Sequence, residues 1–165
     1  MLKKWLIIMC AIFVAGCSTA QVPKYLQAKK PYIKRFYGSY DQVVEAVRLA
    51  LKETGWTIEK EVPPTIYEYS TESEFGDKRQ ILILTNVNET PYFIGTRYSR
   101  INVYVREGSS DQTEVELRYL KVHSFSFKGF YRYGKRTFSQ KFFDSIEKTL
   151  AGQRIDKVNL EQTLK

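Results

Sequence analysis

Two stretches of the chain repeat apolar residues at the spacing of one helical face. In the first, the apolar positions are Tyr40, Val43, Val44, Val47, Ala50 and Leu51. Ser39 can cap the first turn while Gln42, three residues on, reaches back to form a capping box. Gly55 supplies a left-handed stop after the last apolar position. The pattern predicts a helix over 39–54.

The second helical stretch lies near the end of the chain. Its apolar positions are Phe138, Phe142, Phe143, Ile146 and Leu150. Thr137 and Gln140 repeat the capping-box spacing, and Gly152 is the predicted end of this helix. Residues 153–165 form a polar tail, and the sequence is compatible with either a short strand or a disordered segment there.

Between the two helices the apolar period changes to two, which is typical of strands. The clearest hairpin joins 101–105 to 115–119 through the turn residues of 108–111. A second hairpin is predicted between 66–71 and 80–87. Residues 81–84 are apolar at every position, so that strand either has both faces covered or lies centrally in the sheet. Short strands are also predicted at 32–37 and from Trp56 onward.

Two further expectations follow from the strand patterns. Residues 86–99 contain Pro91, Gly95 and several polar residues, and this composition predicts an extended loop. In the last strand, side chains of one parity are charged and should face water, and we place Glu114, Glu116 and Arg118 there. Apolar residues then appear on that same parity at 120 and 122, and a β-bulge near 119–120 would account for the change.

The order of elements predicts the fold class. One strand and one helix come first, then a run of antiparallel strands, then the second helix. Two helices with one apolar face each and a sheet with one apolar face bury each other most simply in two layers. We therefore expect an α+β, two-layer sandwich in which an antiparallel sheet of about five to six strands packs against two helices. A single domain over 32–152 accommodates it.

The first seventeen residues have a different character. Lys3 and Lys4 precede an unbroken apolar run over 5–15, which Gly16 and Cys17 close. A basic head, an apolar segment and small residues at a cleavage point are the layout of a secretory signal. Eleven apolar residues are too few for a transmembrane helix, which needs roughly 20. The sequence predicts a signal peptide over 1–16.

Residues 14–17, Val-Ala-Gly-Cys, also resemble the bacterial lipobox. The resemblance implies a lipoprotein that is cut before Cys17 and carries acyl chains, such as palmitate, on that residue. Several acyl chains hold a protein firmly at a membrane although no helix spans it. Ser18 is not the Asp that retains such proteins in the inner membrane, so the resemblance implies the outer membrane, facing the periplasm. Residues 17–31 then form the lipidated cysteine and a flexible tether.

The composition of the mature chain narrows its chemistry. Cys10 leaves with the signal and Cys17 carries lipid, so no thiol remains for a disulfide, a redox pair or a metal site. Without Lys3 and Lys4, 24 basic residues remain against 18 acidic ones, a net charge of +6. This charge favours anionic lipid head groups, glycan phosphates or an acidic protein partner. Nucleic acid is a poor candidate outside the cytoplasm.

Catalytic motifs are missing from the sequence. His123 is the single histidine, with no cysteine nucleophile and no Gly-x-Ser-x-Gly elbow to pair with it. Neither a Walker loop nor a dinucleotide glycine pattern occurs. The carboxylate pairs Glu72 with Glu74 and Glu114 with Glu116 are read as a solvated strand face. We predict a protein that is not an enzyme and needs no cofactor or metal.

The order of elements over 32–152, behind a lipobox and a tether, is similar to the helix-grip domains of BamC-like outer-membrane lipoproteins. The resemblance implies a non-catalytic role in an envelope complex such as the β-barrel assembly machinery, with an envelope protein as partner. The alternative is a helix-grip module that binds a lipid or another apolar ligand. That alternative predicts an apolar cavity of about 300 to 1,000 Å³.

One segment mixes cations and aromatic rings between two glycines and is our candidate binding site. Its residues are Lys128, Phe130, Tyr131, Arg132, Tyr133, Lys135 and Arg136. Such a mixture suits anionic lipid, glycan or a protein partner. The competing interpretation is a plain connector whose rings cover a sheet edge. A second segment, 88–100, has a similar case through Tyr92, Phe93, Arg97 and Tyr98.

Overall fold

The computed structural model describes residues 21–27, 29–68, 78–93, 95–108, 111–124 and 132–163. The elements in chain order are β1 Tyr32–Tyr37, α1 Tyr40–Glu53, β2 Ile58–Val62, a 3-10 turn Pro64–Ile66, β3 Gln80–Thr85, β4 Asn88–Pro91, β5 Thr96–Glu107, β6 Gln112–His123, β7 Arg132–Tyr133 and α2 Arg136–Thr163. All strand pairs are antiparallel, in the order β1-β6-β5-β3-β2, with β4 beside β5 and β7 beside β6. The predicted α+β two-layer fold is confirmed, and the described residues form a sheet of seven strands.

Helix α1 begins and ends as its sequence predicts. Ser39 accepts a hydrogen bond from the amide of Gln42, and the Gln42 side chain accepts one from the amide of Ser39, which completes the capping box. Gly55 has a φ of 81°, and the amides of Gly55 and Trp56 donate to the carbonyls of Lys52 and Leu51. These two bonds form a Schellman motif, which needs a left-handed residue at the glycine position.

Helix α2 differs from the prediction at both ends. It begins at Arg136, and the carbonyl of Lys135 accepts from the amide of Ser139, so Thr137 is not the cap. It also continues through Gly152 to Thr163 rather than ending in a separate polar tail. A glycine inside a helix costs only about 1 kcal/mol relative to alanine, and the neighbouring turns tolerate it. Gly152 is therefore an interior helical residue.

The hairpin of β5 and β6 is confirmed, but the predicted bulge is wrong. The register runs without a shift from Arg97 opposite His123 to Glu107 opposite Thr113. Residues 86–99, expected to be an extended loop, instead contain β4 and the start of β5, which pair with each other. The predicted pairing of 66–71 with 80–87 is not found among the described residues: β3 pairs with β2 and β5, Pro64–Ile66 form a 3-10 turn, and 69–71 lie outside the described part of the chain.

The main core lies between the helices and one face of the sheet. Its members are Phe36, Val43, Val44, Ala46, Val47, Ala50, Leu51, Trp56, Ile83, Ile101, Val103, Val105, Val115, Leu117, Tyr119, Phe142, Phe143, Ile146 and Leu150. On β5 and β6 these are the odd-numbered positions, as the alternation of a strand requires. This face is the one that the apolar pattern predicts.

The opposite face of the sheet, here called the outer face, is also partly buried. Leu82 and Leu84 pack there with Val62 and Tyr104, so both faces of β3 are covered as expected. Leu120 and Val122 lie on the same side, beneath Leu26, which is 2% exposed. The apolar residues at 120 and 122 thus cover a second small core, and no change of register is needed.

Residues 22–27 form a strap that crosses this outer face. The amide of Leu26 donates to Asn102 at 2.7 Å, and the Asn102 side chain donates back to the carbonyl of Lys24. Arg100 donates to the carbonyl of Pro23. We expected 17–31 to be a flexible tether, and for the strap that expectation is wrong, because its backbone polar groups and Leu26 are held by the sheet.

Candidate functional site

The structure brings together the two segments that mix cations and aromatic rings. Arg97 lies opposite His123 in the ladder of β5 and β6, and Lys121 lies opposite Arg132 in the ladder of β6 and β7. The amide of Thr96 donates to the hydroxyl of Ser124, which ties the β4 turn to the end of β6. Both segments therefore meet at one end of the sheet.

We call this surface the basic end. It comprises Tyr92, Phe93, Arg97, Lys121, His123, Arg132 and Lys135. On β5 and β6 its members have the parity of Tyr119, so they lie on the helix side of the sheet. Tyr119 contacts Phe138 in the first turn of α2, with ring centroids 5.8 Å apart. Residues 121 and 123 therefore extend beyond the helix that covers the rest of this face.

Aromatic and cationic groups alternate across the basic end. The guanidinium of Arg97 lies 4.2 Å from the ring centroid of Tyr92, and the ring of Tyr92 lies 6.4 Å from that of His123. Phe93, at the tip of the turn between β4 and β5, is fully exposed, and Tyr92 is about half exposed (48%). An exposed aromatic pair beside cations gives the basic end both an apolar and a charged contact surface.

The charged side chains that define the basic end are all cationic, and Glu89 of β4 and Glu53 of α1 are the nearby carboxylates among the described residues. Within the described part of the chain, Arg97, Lys121, Arg132 and Lys135 make no ion pair with a carboxylate. Burial lowers the pKa of Lys121, and repulsion from the three other cations lowers it further. The pKa of His123 is lowered in the same way, first by burial and then by its cationic neighbours. The surface has an excess of positive charge that an anion would neutralise.

The residues of the first candidate segment have different roles. Arg132 and Lys135 are exposed members of the basic end, and Arg136 is the exposed first residue of α2. Tyr133 packs against Leu26, Leu120 and Val122, so its ring covers the outer face, as in the connector interpretation. Lys128, Phe130 and Tyr131 lie outside the described residues, as does Cys17.

Gly134 fixes how β7 leads into α2. Its φ is 84°, and a Cβ atom there would lie 2.9 Å from the hydroxyl of Tyr32. Only glycine adopts this backbone conformation at low cost and leaves room for the tyrosine. The position of Lys135 and of the start of α2 therefore depends on this residue.

The charged residues of β5 and β6 on the outer face are not solvated, which corrects the expectation for Glu114, Glu116 and Arg118. All three are buried. Arg106 bonds to both carboxylates, at 2.8 Å to Glu114, and Arg118 Nε donates to Glu116 at 2.6 Å. Because each buried charge has an oppositely charged partner, the group forms a paired network and leaves no carboxylate free for acid–base chemistry.

This network also holds the strap. Arg118 donates to the hydroxyl of Tyr25 at 2.9 Å and to the carbonyl of Leu26 at 3.1 Å. Burial alone would lower the pKa of Arg118, but its bonds to Glu116 and Glu68 outweigh this and raise it. Burial and a bond to Glu68 raise the pKa of Tyr25 to about 12. Tyr25 and Arg118 therefore keep their protons throughout the physiological range.

The space between helices and sheet, where a helix-grip ligand would lie, is filled by side chains. Trp56 packs edge-on against Phe138 at 5.8 Å, and Phe138 stacks on Phe142 at 6.2 Å. A groove of about 350 Å³ opens outward between the end of α1 and the start of α2, lined by Glu53, Thr54, Lys135, Thr137, Phe138 and Lys141. Three of its six lining residues, Glu53, Lys135 and Lys141, are charged and the groove is open to solvent, whereas sites for apolar ligands are enclosed and lined mainly by hydrophobic side chains.

Sequence reasoning missed part of this site. Lys121 lies in β6, outside both segments that mix cations and aromatic rings, and strand pairing places it opposite Arg132. His123 was considered only as a catalytic residue.

Among the described residues, no three His, Cys, Asp or Glu side chains converge as metal ligands would. The helices in the same residues are all too short or too polar to span a bilayer. Neither a scan against protein-family models nor a search of curated proteins finds a match for this chain.

Proposed function

We propose that this chain is an outer-membrane lipoprotein, anchored through Cys17, whose folded domain faces the periplasm. In this proposal the domain is a non-catalytic interaction module of an envelope complex. The lipobox-like residues 14–17 support the anchor, and the basic end supports an interaction role.

The observation that carries the proposal is the combination of charge and exposure at the basic end. Cations without carboxylate partners, next to a fully exposed Phe93, form a contact surface rather than a reaction cleft. The surface is built on paired strands, which hold Arg97 and His123 opposite one another. The charged groups that could supply acid–base chemistry on the outer face are bonded to one another. These features favour binding over catalysis.

Cell fractionation tests the anchor. Cys17→Ala should move the protein out of the membrane fraction, while Cys10→Ala, which changes the only other cysteine, should leave it there. Equal membrane retention of both variants would contradict the proposal.

Photocrosslinking in intact cells tests the interaction role. A photoreactive side chain is introduced at Phe93 and, in separate strains, at the exposed positions Tyr37 and Leu49. We expect a crosslink to an envelope component from at least one position. The interaction role is wrong if all three positions give only uncrosslinked protein.

A further inference from the structure

We propose that the basic end binds the phosphate-bearing head groups of the bilayer that holds the anchor, so that the ends of β5 and β6 face the membrane. This inference rests on the proposed function, because it requires the acyl chains on Cys17. It adds an orientation to the domain and a ligand, anionic phospholipid, to the basic end.

The charge distribution along the sheet supports this orientation. At the opposite end of β5, Arg79 bonds to both Glu107 and Asp41, so the positive charge there is neutralised. At the basic end four cations lack such partners within the described residues. Each Lys or Arg close to an anionic surface favours binding by about fivefold. Electrostatic attraction therefore favours the orientation in which this end faces anionic lipid.

The aromatic groups suit the same ligand. Phe93 projects fully into solvent from the turn between β4 and β5, and Tyr92 lies beside it. Aromatic rings are favoured at the boundary between head groups and acyl chains, where the ring leaves water and nearby cations stay at the phosphates. A bilayer surface accommodates both kinds of group without a specific pocket.

The path of the chain places the anchor near this end. Val22 packs against the cluster of Leu26, Leu120 and Val122, and Val122 directly precedes His123. Only four residues lie between Cys17 and Val22, and the five Cα–Cα steps that join the two span at most about 18 Å when extended. The strap thus shortens the connection to the acyl chains and delivers it to the end of the sheet that carries the cations.

Fluorescence quenching in reconstituted vesicles tests the orientation. The mature lipoprotein has no cysteine other than the acylated one, so an introduced cysteine takes a unique label. Thr90→Cys reports from β4 at the basic end, and Lys78→Cys reports from the opposite end, roughly 30 Å away along β5. Vesicles of phosphatidylcholine, with or without about one third phosphatidylglycerol, carry a nitroxide quencher on the head groups.

We expect strong quenching at position 90 in anionic vesicles, weak quenching there in neutral vesicles, and weak quenching at 78 in both. The triple variant Lys121→Gln, Arg132→Gln and Lys135→Gln should lower the ratio of docked to undocked protein about a hundredfold. The matched control is Lys60→Gln, Lys148→Gln and Arg154→Gln, which removes the same charge from exposed positions away from the basic end and should leave quenching unchanged. Quenching of the label at position 90, in protein without the triple substitution, should also fall at about 0.5 M salt, because salt screens the charge of the head groups.

Equal quenching at position 90 in neutral and anionic vesicles would overturn the inference, as would equal effects of the two triple variants. If the first triple variant keeps its quenching but loses crosslinks to an envelope protein in cells, the basic end binds protein instead, and the proposed function stands without this inference. If the protein purified from membranes carries no acyl chain, the proposed function fails first and the inference fails with it.

Discussion

Replacing Leu26 by alanine tests whether the strap belongs to the folded domain. Leu26 is 2% exposed and covers Leu120 and Val122. Leu→Ala removes about three methylene equivalents, worth about 2.4 kcal/mol of transfer free energy at about 0.8 kcal/mol each. Because the strap lies at the surface, the site can partly collapse, so the cavity adds little and we expect a total loss of about 3 kcal/mol. For a domain of this size, that corresponds to a fall in Tm of about 10 °C.

Thermal unfolding of the purified lipoprotein in detergent, followed by circular dichroism, measures this loss. Leu49→Ala is the matched control, since it makes the same substitution at a position that is 40% exposed. A surface substitution of this kind changes stability by less than about 0.5 kcal/mol. A fall of less than about 2 °C for Leu26→Ala, or a fall equal to that of the control, would mean that the strap is a free tether and that the reasoning is wrong.

Three other substitutions test the network, the turn and a surface ion pair. Glu116→Gln removes a buried carboxylate that bonds to two arginines, and urea unfolding should show that the free energy of unfolding falls by about 3 kcal/mol. A fall of less than about 1 kcal/mol would refute the importance of the network. Gly134→Ala should lower Tm more than Gly55→Ala, because both have positive φ but only the former would contact a neighbouring ring; equal losses would contradict this. A hydrogen bond from Arg48 lowers the pKa of Glu61, so the folded protein binds that proton less tightly than the unfolded chain. The stabilisation is complete above the ordinary glutamate pKa of about 4.3 and is lost as the pH falls through the lower folded pKa. Glu61→Gln should therefore lower Tm by a few degrees at pH 7, and the difference should shrink as the pH is lowered further into the acid range; a difference that does not shrink would refute the assignment.

Local sequence signals predicted those elements that a few neighbouring residues determine. Ser39, Gln42 and Gly55 satisfy the free backbone groups of α1, so its ends could be read directly. The alternation of β5 and β6 likewise predicted their pairing. Gly152 misled because a glycine signals a helix end only when the chain turns there, and tertiary packing decides whether it does.

The outer face could not be predicted because its cover comes from a segment distant in sequence. Glu114, Glu116 and Arg118 have the pattern of solvated residues, but Tyr25 and Leu26 bond to Arg118, and Arg106 of the neighbouring strand bonds to both carboxylates. The available signal was that residues 120 and 122 are apolar although they share a strand face with the charged residues. These apolar residues indicated a second buried face rather than a bulge.

The candidate site was predicted in part for the same reason. The composition of 88–100 and 128–136 identified both segments, and composition is local information. That they adjoin, and that Lys121 and His123 lie between them, depends on strand pairing over long sequence separations. Among the described residues, charged side chains form ion pairs on the outer face but not at the basic end, and this difference could be seen only in the folded structure.

The intact mass of the protein extracted from membranes tests the central claim most directly. We predict a chain that begins at Cys17, comprises 149 residues and carries the additional mass of acyl chains on its first residue. An unmodified polypeptide that still begins at Met1 would contradict the anchor, the proposed function and the orientation inferred from it.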